Sequence, residues 1–271
     1  MSICVAVSVP DGIALCADTR TAWFSYQDSI KQRHSHRYIL LEQPLTIPIG
    51  WTSLGRKLFC FTAGKTPFGI CTSGAALIGR KTIRTVIAAA QAGYDGEPLF
   101  DQVRDHILHK VREEMCRALG VSETGLKDCD YSDLDLMITG FDEGDVSKPR
   151  IEKHTVFSGV RREDGTRDDS GICRTFTNRD ENGEYAFTAC CIGETSYTDH
   201  LLSHDAEKIP GLTDNLILLS LADARDFCEF LVEFTCDYQR FSAMVPTCGK
   251  PILSAILTPE TYEEFGGREN G

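Results

Sequence analysis

The chain has 271 residues, 42% of them hydrophobic, and a formal net charge of −12. That length can bury roughly three quarters of the unfolded surface, and the acidic balance speaks against a nucleic-acid partner, whose phosphates need a basic face. No apolar run approaches the ~20 residues of a membrane span, and the start lacks the basic residues and the ~7–15 residue apolar core of a signal peptide, so the sequence predicts a cytoplasmic protein with no membrane partner.

In chain order, residues 3–9 and 12–17 read as a strand pair around the turn Pro10-Asp11-Gly12. Residues 19–56 show little regular period and read as a long insertion. The "HSH" at 34–36 within them fits a solvated loop tip better than a metal site. Residues 57–62 and 67–73 form a second strand pair. The period then changes: Leu77, Ile78, Ile83, Val86 and Ile87 predict a helix over 75–92. Pro98 opens a second helix that Gly120 closes, with His106 and His109 on it reading as partly exposed helix histidines and a metal pair as the alternative.

Residues 132–141 and 149–157 read as strands. The charge-dense, Gly-containing stretch 160–183 predicts a mobile loop. A strand over 184–192 and a short helix over 195–206 follow. Ser220, with Asp223 three residues on, predicts a capped helix to about 241. Residues 251–257 make a last strand, and the tail 258–271 is polar. The blocks of strands and helices predict a single domain over 1–271 of the α+β class. Its architecture is a four-layer αββα sandwich of two antiparallel sheets. The twelve cysteines include no Cys-x-x-Cys pair. They read as reduced, small core hydrophobes, with a zinc site as the alternative.

Five short pieces lie in the right order on the right elements: "ADTR" at 17–20, "RKLF" at 56–59, "SGAA" at 73–76, "IGETSY" at 192–197 and "CGKPILSAIL" at 248–257. Through them the chain resembles the N-terminal-nucleophile hydrolases of the proteasome β-subunit type, and most of all the bacterial ancestral β-subunit (Anbu) group. The resemblance implies the sandwich with two insertions, at about 19–56 and 160–183. It also implies a nucleophile sixteen residues before Asp18, which is Ser2, made the first residue by removal of Met1. Lys57 matches the family's lysine, with Lys31 and Lys65 as rivals in the bare sequence. Gly74 matches its oxyanion position at the head of the first helix. Glu194 stands where proteasome β-subunits have a supporting serine, and "FSAMVPTCG" lacks their supporting aspartate. Glu194 either bonds the Ser2 amine or caps the following helix.

The chemistry explains such a design. A serine hydroxyl needs a base near neutral pH, and an α-amino group, with an ordinary pKa of about 7.7–8, is one. A nearby ammonium favours the deprotonated amine and hydroxyl. The resemblance further implies no cofactor and no metal, a peptide or other amide substrate, and a homo-oligomer, as a ring or an open helical assembly. The resemblance leaves an ATP-dependent unfoldase open as a partner; the chain has no nucleotide-binding loop of its own. Two rival functions stand beside the peptidase: an assembly-forming homologue with little or no proteolysis, and a non-peptide amidase or acyl transferase.

Overall fold

The computed structural model describes residues 2–31, 38–52, 55–128, 133–156, 172–202, 215–241 and 246–266. The strands are β1 (Ile3–Val9), β2 (Gly12–Asp18), β3 (Thr21–Lys31), β4 (Tyr38–Thr52), β5 (Leu58–Ala63), β6 (Thr66–Gly74), β7 (Leu77–Ile78) and β8 (Lys81–Thr82). Helices α1 (Ile83–Ala92) and α2 (Phe100–Leu119) follow, then β9 (Leu134–Phe141), β10 (Pro149–Val156), β11 (Ile172–Thr177) and β12 (Ala189–Gly193). The chain continues through α3 (Ser196–Leu202), α4 (Leu221–Phe241), β13 (Ile252–Leu257) and β14 (Tyr262–Phe265). Among the described residues no helix is long and apolar enough to cross a membrane.

Two antiparallel sheets of five strands carry the fold. One has the order β12-β1-β2-β13-β14, the other β11-β10-β9-β6-β5. Alternation along each strand divides the apolar side chains into three layers. Ala6, Leu15, Cys71, Met137 and Leu257 lie between the sheets. Phe68, Ile70, Val86, Val103 and Ile107 join the second sheet to α1 and α2. Val5, Val7, Cys16, Cys228 and Leu231 join the first sheet to α4. The result is the αββα sandwich that the order of elements predicts.

Several elements differ from their expected spans. The first helix begins at Ile83, not at residue 75. Gly79 turns the chain between β7 and β8, and the Thr82 hydroxyl accepts from Thr85 N to cap the helix. Leu77, counted in the helical stripe, is instead half exposed. Part of the expected mobile loop, β11, is an edge strand on β10. The rest of that stretch up to 171 lies outside the described residues, as does the His-rich tip. Residues 178–188 form no long strand and are anchored to β10 by the Asn178 side chain, which accepts from Ile151 N and donates to Pro149 O and to Ala186 O. The tail returns as β14 on β13. The segment 19–56 contains the antiparallel pair β3 and β4, which no periodicity announced.

A buried charge cluster ties α2 to β10. Glu152 is fully buried and accepts from Arg150 (2.7 Å) and Arg104 (3.2 Å), with His154 Nε2 at 3.0 Å. Arg150 also reaches Asp101 and Asp142 and lies over the Phe100 ring. Burial alone would push the Glu152 carboxyl up. Hydrogen bonds from His154 and Arg150, and the charges of Arg104 and Arg150, outweigh it and bring the carboxyl down to about 2. A depressed carboxyl stabilises the fold above its unfolded value near 4.5 and loses that contribution as pH falls toward 2. Urea titrations between pH 6 and pH 3 are expected to show the wild-type chain losing about 2 kcal/mol more than Glu152→Gln. Equal slopes would mean that the carboxylate is not held ionised.

Candidate active site

Antiparallel pairing sends the start of one strand and the end of its neighbour to the same end of a sheet. Here Ile3 pairs with Gly193, Cys4 with Ala17, and Ile252 with Asp18. The start of β1, the end of β2, the end of β12 and the start of β13 thus meet. In the second sheet Leu58 pairs with Cys71, which brings Lys57 beside Thr72, whose N–H donates to Lys57 O.

The two sheets join at Asp18. Its side chain is fully buried and its carboxylate accepts four bonds. Oδ1 takes Ile3 N (2.9 Å) and Lys57 Nζ (2.6 Å); Oδ2 takes Arg20 N (3.0 Å) and Gly249 N (3.1 Å). Lys57 is likewise buried, and its ammonium donates a second time to Arg20 O at 2.5 Å. Each charge is paired and bonded, which is what makes a buried ion pair tolerable. Because Ile3 N and Lys57 Nζ share one oxygen, the ammonium lies next to the peptide that joins Ser2 to Ile3. Lys57 stands at Asp18, where the resemblance puts the family's lysine.

Ser2 is buried. Its carbonyl accepts from Glu194 N (2.6 Å) and, at 3.5 Å, from the Ser73 hydroxyl. Gly193 makes this fit: it has φ +89, and a Cβ there would stand 1.9 Å from Ser2 O and 2.3 Å from Ser73 Oγ. Gly74, next to Ser73, has φ +87, and a Cβ would meet Asp133 O at 2.3 Å. Both positions admit glycine alone without rearrangement. Gly74 closes β6 and does not head a helix. The helix head expected at this position is therefore absent, because α1 starts nine residues later. The Glu194 side chain is buried, and its Oε1 accepts from Ser196 Oγ at 2.7 Å.

Sequence reasoning missed Ser73, Gly193 and the role of 246–249. Gln239, buried on α4, accepts from Thr247 N and Cys248 N, both at 2.9 Å, and so presents the Gly249 N–H to Asp18. Thr19 closes the same junction by donating its hydroxyl to Pro251 O. A signal existed: Gln239 is a polar residue on the stripe of α4 that otherwise buries Cys228, Leu231 and Cys236. The stretch 246–249 thus supplies a backbone donor to Asp18.

The cysteines nearby are poor nucleophiles. Burial pushes Cys248 up to about 12, with Asp18 adding to it, and burial pushes Cys4 well above its ordinary value. All eleven described cysteines are free thiols. Among the described residues no group of three or more His, Cys, Asp or Glu is placed to hold a metal ion. His106 instead sits against Ala90 O between α1 and α2.

No family model and no curated protein matches the chain. Solved structures do. The helical assembly of the Anbu complex from Pseudomonas aeruginosa is similar over 99% of this chain and 88% of its own, with a TM-score of 0.54 at 16% identity. An Anbu mutant from Hyphomicrobium sp. strain MC1 is similar over 100% and 89%, with a TM-score of 0.54 at 14% identity. Anbu, the ancestral beta-subunit, from Yersinia bercovieri is similar over 99% and 88%, with a TM-score of 0.53 at 12% identity. The fold is that of the proteasome β-subunit and Anbu structures.

Removing one member of a buried pair strands the other. Asp18→Asn is expected to cost about 3–5 kcal/mol in chemical denaturation, and the double variant Asp18→Asn/Lys57→Met less than the sum of the two singles. Additive losses would show that the carboxylate and ammonium are not coupled.

Proposed function

We propose that the chain is an N-terminal-nucleophile amide hydrolase that acts on peptides, with Ser2 as nucleophile once processing makes it the first residue. The observation that carries this reading is the convergence of Lys57 and the Ser2–Ile3 peptide on one Asp18 oxygen. The fold itself is that of an N-terminal-nucleophile hydrolase.

In this mechanism the Ser2 α-amine takes the proton of the Ser2 hydroxyl as Oγ attacks the amide carbon. Lys57 supplies the positive charge that keeps the amine unprotonated beforehand. The oxyanion of the tetrahedral intermediate falls to the Gly74 N–H, and collapse hands the proton to the departing amine. Water then cleaves the Ser2 ester, with the α-amine again as base. Asp18 orients Lys57, and the Glu194 carboxylate belongs to the residue whose N–H fixes Ser2 O, where it can bind the α-ammonium formed when Oγ gives up its proton. Glu194 N and Ser73 hold the carbonyl of the nucleophile's own residue, so that rotation about one side-chain bond aims Oγ.

Self-assembly belongs to the same proposal: a solved relative of this fold is a helical assembly. An assembly with its sites facing a shared interior suits a cytoplasmic peptidase, and an ATP-dependent unfoldase would feed it.

Intact-mass measurement is expected to find the chain beginning at Ser2 and gaining one β-lactone or epoxyketone adduct, localised to Ser2. Ser2→Ala is expected to abolish both adduct and peptide hydrolysis, and Lys57→Ala to slow hydrolysis at least ~10²-fold. Retained Met1 with no adduct would favour the assembly-forming reading, and hydrolysis of small amides alone the amidase.

A further inference from the structure

Helix α4 buries two polar side chains, Thr235 and Gln239. Thr235 answers its own helix: its hydroxyl donates to Leu231 O one turn back, at 3.0 Å. Gln239 is directed off the helix. Its Oε1 accepts from Thr247 N and Cys248 N, both at 2.9 Å, and its Nε2 donates to the Thr247 hydroxyl at 3.2 Å. One carboxamide thereby fixes two successive peptides of the loop that leads to Gly249. Its loss would leave two buried N–H groups without this acceptor.

The loop touches both members of the Asp18–Lys57 pair, one directly and one through Arg20. Gly249 N donates to Asp18 Oδ2 at 3.1 Å, and Gly249 O accepts from Thr19 N at 3.4 Å. A Cβ on residue 249 would stand 2.4 Å from Arg20 Nε, so the loop lies directly on the Arg20 guanidinium. Arg20 in turn donates its own N–H to Asp18 Oδ2 and gives its carbonyl to the Lys57 ammonium at 2.5 Å. The other titratable groups around Asp18 are the thiols of Cys4 on β1, Cys236 on α4 and Cys248 in the loop. Burial raises all three, which leaves them uncharged near neutral pH. Glu194 stands beside Ser2 at the end of β12.

We propose that Gln239 is a positioning residue for acyl transfer: from the helix layer it holds the Gly249 N–H on Asp18, and so limits the negative charge that Asp18 presents to Lys57 and the Ser2 amine. The inference rests on the reading of Ser2 as nucleophile and gives a task to a side chain that acts through the loop. An N–H bonded to a carboxylate offsets part of its charge. Without that bond the more negative surroundings favour the protonated amine, and less free base remains at neutral pH.

Two measurements on the full chain with Ser2 as its first residue test it: acylation of Ser2 by an activated ester across pH, and amide hydrogen exchange at Gly249. Gln239→Met removes the acceptor and keeps the length of the side chain. It is expected to slow acylation at neutral pH at least tenfold and to move the alkaline-rising inflection to higher pH. It is also expected to speed Gly249 exchange at least tenfold, with unchanged circular dichroism. Gln239→Glu keeps an acceptor for both N–H groups and is expected to keep the Gly249 amide protected. Should Gln239→Met fail to fold, Gln239→Asn, whose shorter amide falls short of the loop, is read in the same way. A Gln239→Met chain that is merely less stable, with inflection and Gly249 exchange as in the wild type, would overturn the proposal. Loss of Gly249 protection in Gln239→Glu would overturn it as well. A wild-type chain that is never acylated at Ser2 would overturn the nucleophile reading and this one with it.

Discussion

The structure turns on one buried carboxylate. Asp18 sits at the end of β2 and receives a donor from each of four places: the first peptide of β1, its own following turn, the lysine before β5, and the loop before β13. An isolated ion in that position would cost several kcal/mol in lost hydration. Three backbone N–H groups and an ammonium offset the loss. In doing so they register the two sheets at one end of the sandwich and hold the start of β1 in place. Fold and site are the same interaction at this point, so neither is expected to tolerate its removal.

The antiparallel topology explains why these residues meet although they are far apart in sequence. Each strand pair returns to the same end, and small residues keep that end close-packed. Gly193 lets β12 lie against Ser2 O, and Ser73 fits into the space that a side chain at 193 would fill. Gln239 then reaches from α4 to hold the last donor loop. The helix layer therefore supports the site from outside the sheets.

Much of this was legible in the chain. The strands around Pro10-Asp11-Gly12 follow from alternation and a turn signal, and Ser220 and Asp223 form the reciprocal cap that their spacing announces. "ADTR" and "CGKPILSAIL" were legible as pieces of a family pattern, and their physical relation is now plain: Thr19 bonds Pro251 O and Asp18 bonds Gly249 N. What the sequence hid has a common cause. The start of α1 was misplaced because Leu77 and Ile78 match a helical period while a local turn and the Thr82 cap decide the boundary. β11 and β14 were missed because edge strands carry charge and so read as loop. Ser73 and Gly193 act through backbone approach, which leaves no mark in residue type beyond being small.

The central claim is that the Asp18-bound ammonium of Lys57 sets the basicity of the Ser2 amine. The pH dependence of Ser2 acylation by an activated ester measures this most directly, in the processed wild-type chain and in Lys57→Met. Removing a neighbouring positive charge raises an amine's pKa. The account predicts that the alkaline-rising inflection moves to higher pH in Lys57→Met, with slower acylation at neutral pH. An inflection at the same pH in both proteins would contradict it.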